Sequence, residues 1–242
     1  MVRNSSPWRR LTARSVILSV LLGAHPAQAP AAAIVRVSTE LGLQESTVRA
    51  ALTRMVSTGD LERDDATYRL APRLLSRQRL QDNALAPALQ PYDGEWRLAI
   101  VTTGADAAAE RTLLRESLQA AKFGELREGV WGRPNNLSTT QLAAPHRLTC
   151  VTGRPDDPDG LATRLFRPAD WADSATTLLT ALGTADTMRD RLEVAAAVVR
   201  HILHDPILPT EFLPQPWPGA DLRHAYRDFR TEFTAFAVTY LP

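Results

Sequence analysis

Two glycines, Gly42 and Gly59, bracket an apolar pattern of helical period, and that bracket constrains the first third of the chain more than any other feature. Between them Val48, Ala51, Leu52 and Met55 recur at spacings of three and four, which places them on one face of a helix. The polar side chains of Gln44 to Ser46 can cap its start, and Gly59 suits the position just past its end, where a left-handed backbone is favoured. Upstream, the pattern predicts a helix over Thr12 to Leu22, a Pro-rich link over His25 to Pro30 and a second helix over Ala31 to Leu41, with Gly42 as the turn. Downstream, Leu61-Glu62-Arg63 and Tyr68-Arg69-Leu70 flank an Asp-Asp-Ala-Thr turn and read as a hairpin. Helix, helix, turn, helix, hairpin is the order of a winged helix-turn-helix.

The charge distribution fits that order. Residues 1–80 carry twelve arginines against six acids, whereas the remainder has sixteen bases against twenty-one acids, so a net charge of +1 conceals a basic first third. A basic segment attracts polyanions because neutralising phosphates releases counterions. A solvated arginine face would carry the same charge, so the geometry of the third helix has to decide. With Val48, Leu52 and Met55 inward, Thr47, Arg49, Ala50, Thr53 and Arg54 face outward or lie at the flank. A helix fits the major groove, where arginine pairs bidentately with guanine and hydroxyls reach bases or phosphates. Gln44, Ser46, Thr47, Arg49, Thr53 and Arg54 are therefore the candidate readers of double-stranded operator DNA. Arg63 and Arg69 on the hairpin are candidates for phosphate or the minor groove, and Arg10 and Arg14, where the first helix starts, for the DNA backbone.

Residues 1–72 thus read as a winged-helix DNA-binding domain and 73–91 as a linker helix, closed by Pro87 and Pro91. Beyond it, Trp96 to Thr102 reads as a strand, Asp106 to Ala121 as a helix with Leu113, Leu114 and Leu118 inward, and Glu125 to Arg133 as one or two strands around Gly129. With a further strand over Leu148 to Thr152, residues 92–168 form a ferredoxin-like α+β domain, although Pro134 to Arg147 is short for its second helix. Residues 169–242 are a helical domain, with helices near Asp170 to Leu182, Thr187 to His204 and Ala220 to Tyr240. Its Pro-rich interruption, Asp205 to Gly219, is expected to be a rigid surface strap or a loop lining a pocket. The fold class is α+β.

Several features imitate other chemistry. Arg9-Arg10, the apolar run from Val16 to Ala24 and Ala27-Gln28-Ala29 resemble a secretory signal, but Ser15 and Ser19 interrupt the run and its leucines suit one face of an amphipathic helix. No run is long enough for a membrane span. Cys150, the one cysteine, sits in LTCVT as an expected buried strand position, which fits a reducing cytoplasm. His201 and His204 stand three apart beside Asp205, a spacing that can bind metal, yet no third ligand accompanies them and a helix C-terminus favours histidine anyway. Gly153 to Gly160 holds three acids but lacks a calcium-loop pattern, and reads as a solvated turn. No cofactor or metal is expected. The alternatives to a regulator are an interaction scaffold with a degenerate winged helix, and a nuclease on the ferredoxin-like domain, whose first strand lacks a metal-binding carboxylate.

Taken together, the parts resemble the PaaX-like repressors of phenylacetic acid catabolism. The matching residues are Thr12-Ala13-Arg14-Ser15, Gly42-Leu43, Ser46 through Met55, Gly59-Asp60-Leu61 and Tyr68-Arg69-Leu70 in the first domain. Later come Tyr92 through Trp96, Phe123-Gly124, Gly129-Val130-Trp131, and Asp205-Pro206 to Trp217-Pro218-Gly219. The resemblance covers nearly the whole chain. It implies a dimeric repressor that releases its operator on binding an acyl-CoA type effector. Taken with the reducing cytoplasm, the expectation is a cytoplasmic homodimer that represses a catabolic operon and answers to an acyl-CoA or aromatic-acid effector, for whose pocket Arg133 and Trp217 are the candidates.

Overall fold

Thr12 starts the first helix, α1 (Ala13–Gly23), by accepting a hydrogen bond from the Ser15 amide at 3.2 Å. The computed structural model of the protein describes residues 11–102, 108–138, 142 and 145–240, and Arg10 lies outside them. Val16, Ile17 and Leu21 of α1 are fully buried, so the run that imitates a signal is a core helix. α2 (Ala31–Glu40) and α3 (Glu45–Ser57) follow, joined across Gly42 at φ +78°. The left-handed backbone is what calls for glycine there; an added Cβ would also displace the tip of the Arg189 side chain, whose Nη1 lies 2.9 Å away. Gln44 occupies the cap position of α3 without a side-chain cap hydrogen bond, contrary to the capping expected of it. Gly59, at φ +68°, ends the helix as its position demands.

The hairpin is β2 (Leu61–Asp64) against β3 (Thr67–Leu70), and its turn narrows to Asp65-Ala66 because Asp64 pairs with Thr67. A strand hidden in the Pro-rich link, β1 (Gln28–Pro30), adds to the other side of β3 and makes a three-stranded antiparallel sheet. Proline is tolerated there because β1 is an edge strand. Val48, Leu52 and Met55 bury against Ile17, Leu21, Ile34 and Leu70 in one core.

Contacts divide the chain into two compact units, and the winged helix is only part of the first. Met1–Leu85, Ala175–His204 and Pro218–Pro242 make one unit; Ala86–Ser174 and Asp205–Trp217 make the other. In the first, α4 (Pro72–Leu85), the helix expected to act as a linker, packs on α8 (Met188–Leu203), and α9 (Gly219–Val238) packs on α8 and α1. Polar ties reinforce this. Glu193 Oε1 accepts from the Leu11 amide at 3.3 Å, Arg189 donates to the Leu41 carbonyl at 2.8 Å, and Arg223 donates to the Ala84 carbonyl at 2.9 Å. α7 (Pro168–Thr184) runs from the second unit into the first.

The second unit is built on β4 (Trp96–Val101), α5 (Ala108–Ala120), β5 (Gly124–Arg127), β6 (Val130–Pro134) and β7 (Leu148–Gly153). The sheet order β5-β6-β4-β7, antiparallel throughout, is the order of a ferredoxin-like sheet. Among the described residues between β6 and β7 the one helical element is a short 3₁₀ turn at Pro145–Arg147, and the next α-helix, α6 (Pro158–Phe166), follows β7. Asp157 caps α6, its Oδ1 accepting from Gly160 at 2.9 Å, so the acidic turn serves a helix start. Period-two alternation along β4 divides the core. Ala99 packs with Leu114, Leu118 and Trp131 on the α5 side, while Trp96 packs with Leu161, Leu208 and Phe212 on the other.

Three expectations need correcting here. Leu113 is 63% exposed, because only Leu114 and Leu118 of α5 share the face toward the sheet. Cys150 is exposed, because β7 is the edge strand and little packs over it. The Pro-rich segment is not a surface strap: Asp205, Leu208 and Phe212 are buried, and Phe212 lies against Trp96 and Tyr92 with ring centroids at 6.2 and 5.5 Å.

Candidate nucleic-acid interface

α3 presents one polar face, and every residue proposed to read DNA is on it. Gln44, Ser46, Thr47, Arg49, Thr53 and Arg54 are all exposed, a consequence of anchoring the opposite face through Val48, Leu52 and Met55. The first turn of α1 meets this face. Thr12, Ala13 and Arg14 line a groove of about 660 Å³ together with Ser46, Thr47, Ala50 and Arg54. Because the first turn of α1 lines this groove, the partial positive charge of that helix end lies beside it, which favours anions.

The arginines differ in what holds them. Arg49 Nε donates to Glu45 Oε1 at 2.7 Å, one turn away on α3. Arg69 Nη2 donates to Asp64 Oδ2 at 2.6 Å across the wing. Arg63 donates to the Asp65 carbonyl at 2.7 Å and lies over the Tyr68 ring, 5.9 Å from its centroid. Arg54 has no acidic partner among the described residues, which leaves its charge free for a phosphate or a base. Asp60 enters the sequence reading only within Gly59-Asp60-Leu61, without a role, yet it organises the corner. It is 3% exposed and accepts from Arg14 Nε and Nη2 at 3.1 and 3.0 Å and from Arg73. An acid directly after the helix-ending glycine, before a strand that starts on leucine, is the signal that could have found it.

The effector candidates lie in the second unit. Arg133 is 2% exposed and donates to the Pro134 and Ala121 carbonyls at 2.9 and 3.0 Å and to Asn136 Oδ1 at 2.7 Å. Asn136 in turn donates to the Ile207 carbonyl at 3.0 Å. Arg133 is thus an internal strut between the end of α5, β6 and the Pro-rich segment. Burial, then the neighbouring Arg97, pushes its pKa down to about 10, which leaves it charged at neutral pH. Trp217 stacks on Trp171 at 4.6 Å with the rings 22° apart. Among the described residues no cluster of three His, Cys, Asp or Glu could hold a metal, and no helix is long and apolar enough to cross a membrane. His204 Nδ1 lies 2.7 Å from the Arg200 carbonyl.

Three family descriptions match in succession: PaaX-like protein over residues 12–74, the PaaX protein central Cas2-like domain over 89–153, and the PaaX-like protein C-terminal domain over 171–242. The chain belongs to the PaaX-like family. As a PaaX-like protein it is a transcriptional regulator. A solved structure, Uncharacterized protein Rv0674 from Mycobacterium tuberculosis, is 46% identical with a TM-score of 0.82, covering 95% of this chain and 98% of that one. No curated protein matches the chain. The first PaaX-like match ends at residue 74, just inside α4, and so takes in α1, α3 and the wing together with Asp60.

Proposed function

We propose that the protein is a cytoplasmic homodimeric repressor that binds operator DNA with α3 in the major groove and the wing against the backbone. The observation that carries this reading is the groove at α1 and α3. There Thr47, Arg54 and Arg14 stand together on an exposed face, beside a helix N-terminus, with the apolar side of α3 fully packed behind them. Gln44, Ser46, Arg49 and Thr53 extend the reading face, and Arg63, Arg69 and Arg10 supply backbone contacts. Release follows binding of an acyl-CoA or aromatic-acid effector, which must discriminate between DNA-competent and incompetent states to have any effect.

The test is fluorescence anisotropy on duplex DNA from the protein's own promoter region, over a salt series, beside a scrambled duplex. Sequence-preferring binding that is lost in Arg49→Ala/Arg54→Ala is the expected outcome. Equal binding of both duplexes by wild type and variant sinks the operator reading and favours a scaffold with a degenerate winged helix. Light scattering during gel filtration tests the homodimer.

A further inference from the structure

Besides the groove at α1 and α3, the winged-helix unit contains two further cavities. One, of about 290 Å³, lies between α1, β1, α2 and the end of α9, and its wall is almost wholly apolar: Val20, Ala29, Ala33, Val37 and Ala237 among others. The second, of about 270 Å³, lies between α1, α4, α8 and α9. Leu18, Val199 and Phe229 line its apolar side, and Arg14, Arg77, Arg200 and Arg230 line its polar side. Gly23, Phe233 and Thr234 belong to both chambers.

The charges are unbalanced in a way that points to a ligand. Among the described residues no acid lines the second chamber. Arg14 and Arg230 are held from outside it, by Asp60 at 3.0 Å and Asp82 at 3.2 Å. Arg77 and Arg200 have no acidic partner among the described residues. These like charges repel one another, screened in part because Arg14, Arg77 and Arg200 are exposed, and an anion relieves what repulsion is left. An apolar chamber next door is best filled by hydrocarbon or an aromatic ring. The two adjoin at Gly23, where an added Cβ would stand in open space, with nothing within 4 Å.

We propose that the two chambers form one binding site for an amphipathic organic anion, with its aryl or alkyl group in the apolar chamber and its acidic group against Arg77 and Arg200. This deepens the ligand-responsive reading above and rests on it. Arg14 supplies the coupling. It lines the cationic chamber and also the groove at α1 and α3. An anion that draws its guanidinium away from Asp60 removes a cation from the DNA face, so ligand and DNA weaken each other reciprocally.

The test uses the full chain and two substitutions outside the DNA face. Gly23→Leu fills the space where the chambers adjoin, and it suits the fold because Gly23 ends α1 without a left-handed backbone and leucine is the better helix former. Arg200→Gln removes one free charge from an exposed position. Calorimetric titration with phenylacetate, hexanoate and their coenzyme A thioesters, beside operator anisotropy, gives the readout. We expect one probe class to bind wild type and weaken DNA binding, and each substitution to weaken that probe about tenfold, the scale of one charge-assisted contact. DNA binding without probe and the melting temperature stay as in wild type. Binding by the free acids assigns the anion to a carboxylate, and binding by the thioesters alone assigns it to phosphate. A probe that binds wild type and both variants equally overturns this site while leaving a ligand-responsive regulator intact. No binding at millimolar concentration overturns the site, and loss of probe-free operator binding by wild type overturns the operator reading separately.

Discussion

Arg54→Ala is the substitution whose consequence can be worked out most fully. Arg54 is exposed in the last turn of α3 and has no acidic partner among the described residues, so its removal breaks no ion pair. Losing a cation near a helix C-terminus costs about 0.3–1 kcal/mol, and alanine's higher helix propensity offsets part of that. The melting temperature should therefore hardly move, and any loss of binding reflects the interface. If Arg54 neutralises one phosphate, the slope of log affinity against log salt falls by about 0.9 in magnitude, which is about fivefold in affinity at 0.15 M salt. A homodimer loses the contact twice, so the change becomes about 1.8 in slope and about thirtyfold in affinity, or roughly 2 kcal/mol. Arg49→Ala should cost less, because Glu45 at 2.7 Å already neutralises much of that charge. Anisotropy from 50 to 300 mM salt, on the order of a working range for such slopes, reads both quantities. An Arg54→Ala protein with wild-type melting, slope and affinity would remove α3 from the interface and refute the reasoning.

Three further outcomes follow from single sites. Asp60→Ala leaves Arg14 and Arg73 without their shared acceptor and should destabilise the protein by about 2 kcal/mol, a charge-assisted value reduced because both arginines are more than half exposed; thermal melting measures it, and an unchanged midpoint would count against Asp60 as the organiser. Arg133→Ala leaves the Ala121 and Pro134 carbonyls and Asn136 unpaired in a buried space, so a loss of about 3 kcal/mol is expected in urea melts. Desolvation raises the Tyr226 phenol to about 12 against an ordinary value of 10. The unfolded chain loses this proton first, so stability falls as pH rises from 10 to about 12, and ultraviolet titration of Tyr226→Phe beside wild type checks it.

What could be read in the sequence was what local periodicity encodes. The helices over Thr12 to Leu22, Ala31 to Leu41 and Gln44 to Thr58 each match an observed helix to within a residue or two, because apolar spacing, Gly42 and Gly59 all specify the same local geometry. The proposed reading face was legible for the same reason, since packing Val48, Leu52 and Met55 leaves only one side of α3 for solvent. β1 was hidden because Ala29 and Pro30 show no alternation, and only pairing with β3 across forty residues makes that stretch a strand. Cys150 and Leu113 were misplaced because burial on one strand or helix depends on which neighbour covers it, and β7 lies at a sheet edge.

The least legible feature was the return of the C-terminal helices to the winged helix. No residue of α8 or α9 carries a pattern that names its partner, yet Glu193 meets Leu11, Arg189 meets Leu41 and Arg230 meets Asp82 across more than 140 residues. These contacts put two arginine-bearing helices beside α1, whose first turn also supplies Arg14 to the proposed DNA face. A winged helix with a separate effector domain would need a signal carried between domains. Here the same helix lines both proposed sites, so the proposed ligand, held by α8 and α9, would alter DNA affinity through one side chain.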